Sequence, residues 1–253
     1  MRATEQIPVL LIPGVAADQR IFRAQRQEFS QLCVPARIEA NSVNPDIASY
    51  ARQCADEWVF GKQACLSVDR PYFLGGMSVG GIIAIELAWH LHALGKAPQG
   101  VLLLSSCRSW DAIPSWYSRW YQWSESLPRW FASKLFYNRQ VTHAARSERV
   151  GPQTTQLIAS MFRGTDWDQL RSSVRMLTTW RRDAVDIARA PFPVYQLHGR
   201  LDGLMTPPSA KDATLLLDAG HWMCATHATA VNNWITAILD DTNLRWHRPG
   251  SRK

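Results

Sequence analysis

The chain has no apolar run of membrane-spanning length, so a transmembrane helix is not expected. It has no internal repeat and no low-complexity tract, so neither a solenoid nor a largely disordered chain is expected. Cysteine is sparse, with five in 253 residues. Cys33, Cys54, Cys65, Cys107 and Cys224 are odd in number, scattered, and show no paired metal spacing. They read as reduced thiols, with no metal site and no cofactor expected. The N-terminus lacks the apolar region and small-residue cleavage site of a signal peptide, so a cytoplasmic protein is expected. Acidic residues are the minority, 21 against 28 basic ones, for a net charge of +7. Most of the basic residues are arginine, yet no contiguous run exceeds Arg181-Arg182. Without a nucleic-acid motif, this reads as a solvated basic surface.

What is present is an ordinary globular composition, 46% hydrophobic, over a length that suits one domain with an insertion. Short apolar runs read as buried strands at Pro8–Ile12, Tyr72–Gly76, Gly100–Ser105, Phe192–Leu197 and Ala213–Leu217, with a further one at Pro35–Glu39. Helical spacing predicts helices over Gln19–Leu32, Asn44–Val59, Val79–Leu94 and Ala225–Leu239. Strands alternating with amphipathic helices imply an α/β fold: a mostly parallel sheet of about six strands with helices on both faces. The alternation stops over residues 106–190, which read as helices only. Pro114, Pro128 and Pro152 each stand where a helix can begin, and Thr165 reads as a helix cap with Asp168 three residues on. The expected organisation is a core of 1–105 and 191–243, a helical cap of 106–190, and a loose basic tail of 244–253. Seven of the twelve tryptophans fall in the insertion.

The chemistry starts at Gly75-Gly-Met-Ser-Val-Gly-Gly81. Ser78 has glycines at −2 and +2, follows a strand and opens a helix. Gly76 and Gly80 leave room for a very tight turn that lifts the serine hydroxyl, with the next amides at a helix N-terminus. Two loops after later strands supply an acid and a base. His198-Gly-Arg-Leu-Asp202-Gly-Leu follows one, and Asp218-Ala-Gly-His221-Trp222 follows the next. The order Ser78, Asp202, His221 at strand ends suits a nucleophile, an orienting carboxylate and a general base.

On these residues the sheet segments resemble the α/β-hydrolase superfamily, specifically its small cap-bearing serine esterases of carboxylesterase type. Leu201-Asp202-Gly203-Leu204 is similar to the acid loop of pimeloyl-carrier-protein methyl esterases. The resemblance implies an α/β-hydrolase fold with an inserted helical cap, the family's first two strands being absent. It implies catalytic Ser78, Asp202 and His221, with the backbone N–H groups of Val15 and Val79 as the oxyanion hole. The loop reads Pro13-Gly14 where the family usually has His-Gly, and Pro207 falls one residue late. Asp111 is an alternative acid. Asp218, His198 and His227 read as structural, and His90, His92, His143 and His247 show no partner pattern. Met77, Trp110, Trp116, Trp120 and Trp222 are candidates to line the substrate pocket. The expected activity is ester hydrolysis through an acyl-enzyme on a substrate with an apolar acyl or aromatic part. The same triad also suits carbon–carbon or thioester cleavage, and the scaffold alone suits a non-catalytic binding module. An acidic carrier protein is a candidate partner through the cap arginines.

Overall fold

The computed structural model describes residues 7–40, 46–62, 64–148, 150–209, 211, 213–216 and 218–246. Six strands form one sheet: β1 Val9–Ile12, β2 Leu32–Cys33, β3 Phe73–Met77, β4 Gly100–Leu104, β5 Val194–Gly199 and β6 Thr214–Leu216. Their order is β2-β1-β3-β4-β5-β6, and every neighbouring pair is parallel. The central strands are apolar throughout because both faces are covered. Leu10, Ile12, Leu74, Val101 and Leu103 pack on one face with Ile47, Tyr50, Ile82 and Ile83. Val9, Leu11, Phe73, Leu102 and Leu104 pack on the other with Ile21, Val231 and Ile235. The period-two alternation of a strand thus feeds two separate cores.

The helices are α1 Arg23–Glu28, α2 Ile47–Trp58, α3 Val79–Ala93, α4 Trp116–Ser126, α5 Arg129–Tyr137, α6 Ala144–Ser147, α7 Pro152–Arg163, α8 Trp167–Thr179, α9 Ala184–Ala188, α10 Met223–Thr226 and α11 Ala228–Trp246. Asp46 caps α2 by accepting from the Ser49 N–H at 2.7 Å. Helix α3 is closed at Gly95, whose φ of +73° suits a glycine. Between β4 and β5 every described element is helical.

Several expectations need correction. The segment Gln19–Leu32 is not one helix: a 3-10 turn over Gln19–Phe22 leads into α1, which ends at Glu28 so that Leu32 can enter β2. Sheet pairing overrides helical spacing there. Pro35–Glu39 is not a strand; only Arg37 forms an isolated bridge, with Asp18. Helix α8 is capped by Asp166 rather than Thr165, because the Asp166 carboxylate accepts from the Asp168 and Gln169 N–H groups. The last helix is divided at His227 and runs to Trp246, so residues 244–246 of the expected loose tail are helical. Asn44, Pro45, Leu217 and residues 247–253 lie outside the described residues, and of the His143 side chain nothing is described.

The cysteine reading is also corrected. Cys33 and Cys65 form a disulfide, with their Cα atoms 5.8 Å apart, across a sequence separation of 32. Wide spacing concealed a pair that the β2 edge brings together. Cys54, Cys107 and Cys224 are free and buried.

Two ties hold the helical segment to the sheet. Glu86 of α3 accepts from Trp180 Nε1 at 2.8 Å and from Arg182 through Nε at 2.7 Å and Nη2 at 2.8 Å. On the other side, Arg20 donates to Ser160 Oγ at 3.1 Å and Arg37 to Thr165 Oγ1 at 3.0 Å. Asp18 anchors both arginines.

Candidate active site

Ser78 stands between β3 and α3 with φ +56° and ψ −128°. A non-glycine residue rarely holds positive φ, so the turn is strained. The glycines explain how it closes. A Cβ at Gly76 would collide with the Gly80 backbone, and one at Gly80 would collide with the carbonyls of Ile12 and Pro13. The elbow is therefore wedged against the end of β1. It is braced from β4 as well: Ser78 N–H donates to Leu104 O at 3.0 Å, and Ser106 Oγ donates to Ser78 O at 2.6 Å. Gln196 of β5 holds the Ser106 carbonyl at 2.8 Å. Three strands thus fix one serine.

The loop after β1 passes directly beside it. A Cβ at Gly14 would lie 3.1 Å from Ser78 Cβ and 3.8 Å from its Oγ. Ala16, two residues on, holds φ +55°. Among the described residues, neither the Val15 nor the Val79 N–H donates a hydrogen bond. Both amides flank the serine unspent, Val79 at the first position of α3. Proline at position 13 leaves this geometry available, because the donor is a backbone group two residues later.

Asp202 is buried after β5 and fully used. Its Oδ1 accepts from the Leu204 and Met205 N–H groups at 2.8 and 2.9 Å. Its Oδ2 lies 2.9 Å from His221 Nδ1 and 3.0 Å from His198 Nε2, the latter within ion-pair distance but outside hydrogen-bond alignment. Burial alone would raise the Asp202 pKa, but the hydrogen bond from His221 and the nearby His221 and His198 rings hold it well below the usual carboxylate range. Burial works against a charged His221, yet the Asp202 carboxylate and its hydrogen bond raise the pKa of the ring overall. An ionised carboxylate only accepts, so His221 Nδ1 carries the proton and Nε2 keeps its lone pair. Among the described residues, the Ser78 hydroxyl and His221 Nε2 make no hydrogen bond to one another or to a third group. The elbow and the His221 loop are linked through the end of β4: Ser105, next to the elbow's anchor Leu104, donates from Oγ to Gly220 O at 3.5 Å.

Other sequence candidates fall elsewhere. Asp111 is exposed on a short turn. Asp218 is exposed and pairs loosely with His227 at 3.5 Å. Trp116 and Trp120 line a groove of about 410 Å³ with Arg119, Trp123, Leu135 and Arg139. Arg139 stacks over Trp116 and donates to Gly203 O beside Asp202 at 3.0 Å. Trp110 is half-exposed beneath Arg181, while Met77 and Trp222 are buried in the core, Trp222 edge-on to His221. Burial pushes the Cys224 thiol up to about 12, as suits an inert core residue. Among the described residues, no cluster of three His, Cys, Asp or Glu could hold a metal ion.

One residue was not singled out from sequence. Glu148 follows α6, is only 7% exposed, and faces the His221 loop. Its Oε2 accepts from the Trp222 N–H at 3.4 Å. Nothing in the local sequence marks it, since its role depends on a tertiary approach.

Comparison with known proteins agrees with this architecture. No curated protein sequence matches the chain. Among solved structures it is similar to a thermophilic esterase from Thermogutta terrifontis, at TM-score 0.71 and 19% identity over 94% of this chain and 90% of that one. It is similar to an enol-lactonase from Burkholderia xenovorans, at TM-score 0.71 and 17% identity over 95% and 94%. It is also similar to an esterase from Exiguobacterium antarcticum, at TM-score 0.69 and 14% identity over 92% of each chain. At such identities the likeness speaks for the fold. The sequence profile described as the alpha/beta hydrolase family matches residues 9–234. That span runs from the first strand through the elbow and both loops into the final helix, and the chain belongs to the alpha/beta hydrolase family.

Proposed function

We propose that this hydrolase cleaves carboxylic esters through an acyl-enzyme on Ser78. The observation that carries the reading is the strained Ser78 at the strand-to-helix turn, with a His221–Asp202 pair past the ends of β5 and β6 in the same sheet. His221 Nε2 takes the Ser78 proton as the oxygen attacks the ester carbonyl. The tetrahedral oxyanion is held by the Val15 and Val79 N–H groups, each such donor contributing about 3 kcal/mol. The protonated His221 then gives its proton to the leaving alkoxide. Water, activated by the same ring, releases the acid. Asp202 keeps the ring in the correct tautomer and stabilises its cation.

The tryptophan groove supports a substrate with an apolar acyl or aromatic part. Its arginines suit an acidic carrier protein as a means of delivery, by charge complementarity. Proteins of the same fold include the esterase and the enol-lactonase named above, with which an ester substrate is in keeping.

A fluorophosphonate probe tests the reading. We expect one adduct, mapped to Ser78 by peptide mass spectrometry and absent in Ser78→Ala and His221→Ala. Absence of label on the native protein, or label retained in Ser78→Ala, would overturn it.

A further inference from the structure

We propose that Glu148 is a positioning residue for His221, by which the helical segment holds the base's loop and sets negative charge beside the imidazolium formed in the reaction. This rests on the reading of His221 as the base.

The geometry is specific. Glu148 comes from the segment between β4 and β5, whereas His221 follows β6. A Cβ at Gly220 would collide with the Glu148 carboxyl, so the glycine before His221 is what admits the side chain. Oε2 accepts from the Trp222 N–H and faces the His221 N–H. Oε1 has no partner. A buried carboxylate ordinarily finds a cation, yet among the described residues no lysine or arginine pairs with Glu148. The group of opposite charge that it faces is His221 itself. A residue kept there for stability alone would be better served by an apolar side chain.

The surroundings do not supply an alternative partner. From the β5 side come Asp202 and, against Asp202, His198. From α4, Tyr117 faces Asp202 rather than offering a cation, and is held at its hydroxyl by Gln140 at 3.0 Å. Outward, Glu148 lines a cleft of about 690 Å³ with Val150, Thr154, Leu201, Asp218 and His227. Asp218 is acidic, and His227 is engaged with Asp218 and with Thr226 Oγ1. Burial raises the Glu148 pKa to about 7, while His221 pulls it down; reciprocally, Glu148 raises that of His221.

Removing the charge must therefore make His221 easier to deprotonate and a weaker base. The experiment measures the rate of Ser78 labelling by the fluorophosphonate from pH 5 to 9 in the full-length protein. In Glu148→Gln we expect the acid limb to move down by about half to one pH unit and the plateau rate to fall about three- to tenfold, since one unit is a tenfold change. Direct NMR titration of the His221 ring should show the same downward move without reference to activity. Gly220→Ala, which displaces the carboxyl by overlap, should reproduce the move and serves if Glu148→Gln fails to fold. An acid limb and ring titration unchanged in both variants, with the native protein labelling normally, would overturn this proposal alone. If native Ser78 does not label at all, the esterase reading fails and this proposal falls with it.

Discussion

Glu148 occupies a place where ionisation is costly, and the cost depends on pH. Its ordinary pKa of 4.5 is raised to about 7 in the folded chain. A group with a raised folded pKa contributes its stability fully below its unfolded value and loses it as pH rises through the folded one. The shift corresponds to about 3 kcal/mol. Urea unfolding should therefore show the native protein losing stability of this order between pH 4.5 and 8, and Glu148→Gln losing markedly less. Equal pH dependence in both proteins would count against the assignment. The contrast with Ser78, Asp202 and His221 is instructive. Those three stand out as candidates in the sequence because each sits in a short motif whose position, past a strand end, follows from the strand itself. Glu148 was not, because its partner loop lies more than seventy positions away and only the packing of Gly220 admits it. Of the tryptophans and methionine named as pocket candidates, Trp116 and Trp120 share a groove, whereas Met77 and Trp222 are turned into the core. Helical spacing reveals a shared face without revealing what covers it.

At the scale of elements, the junction of α3 with the segment preceding β5 depends on Glu86. It sits among Ile82, Ile83, Ile85 and Leu87 on the elbow's own helix, and Trp180 and Arg182 both donate to it. Arg182 also stacks over Trp89. Glu86→Ala would leave two donors without their acceptor, and we expect a loss of about 2–4 kcal/mol in chemical denaturation. Arg182→Ala should cost less, because Glu86 keeps the indole donor. The opposite ranking would show that the tie is not centred on Glu86. Central strands were readable from their apolar runs to within two residues. The edge strand β2 was misplaced because two residues carry no period, and because its pairing with Val9 and Leu10 is set by the sheet rather than by its own sequence.

For the whole molecule, the Cys33–Cys65 bridge alters the expected chemistry of the chain. It closes a loop of about thirty residues that holds α2 and joins the sheet edge to the turn before β3. By chain entropy such a loop contributes about 3–4 kcal/mol. Alkylation of the denatured protein without reductant should modify three cysteines, and five after reduction; five in both cases would exclude the bridge. Cys33→Ser should lower the denaturation midpoint even under non-reducing conditions. The sheet order has a separate consequence for biosynthesis. Strands β1 to β4 and the elbow are already made when Leu104 is translated, but eighty-nine residues separate it from Val194. At ordinary elongation rates that interval is roughly 5–20 s. Throughout it, the nascent sheet carries β4 as an open edge, with the backbone groups of Val101 to Leu104 waiting for β5. The helices made in that interval are the material at hand to cover this edge before β5 arrives.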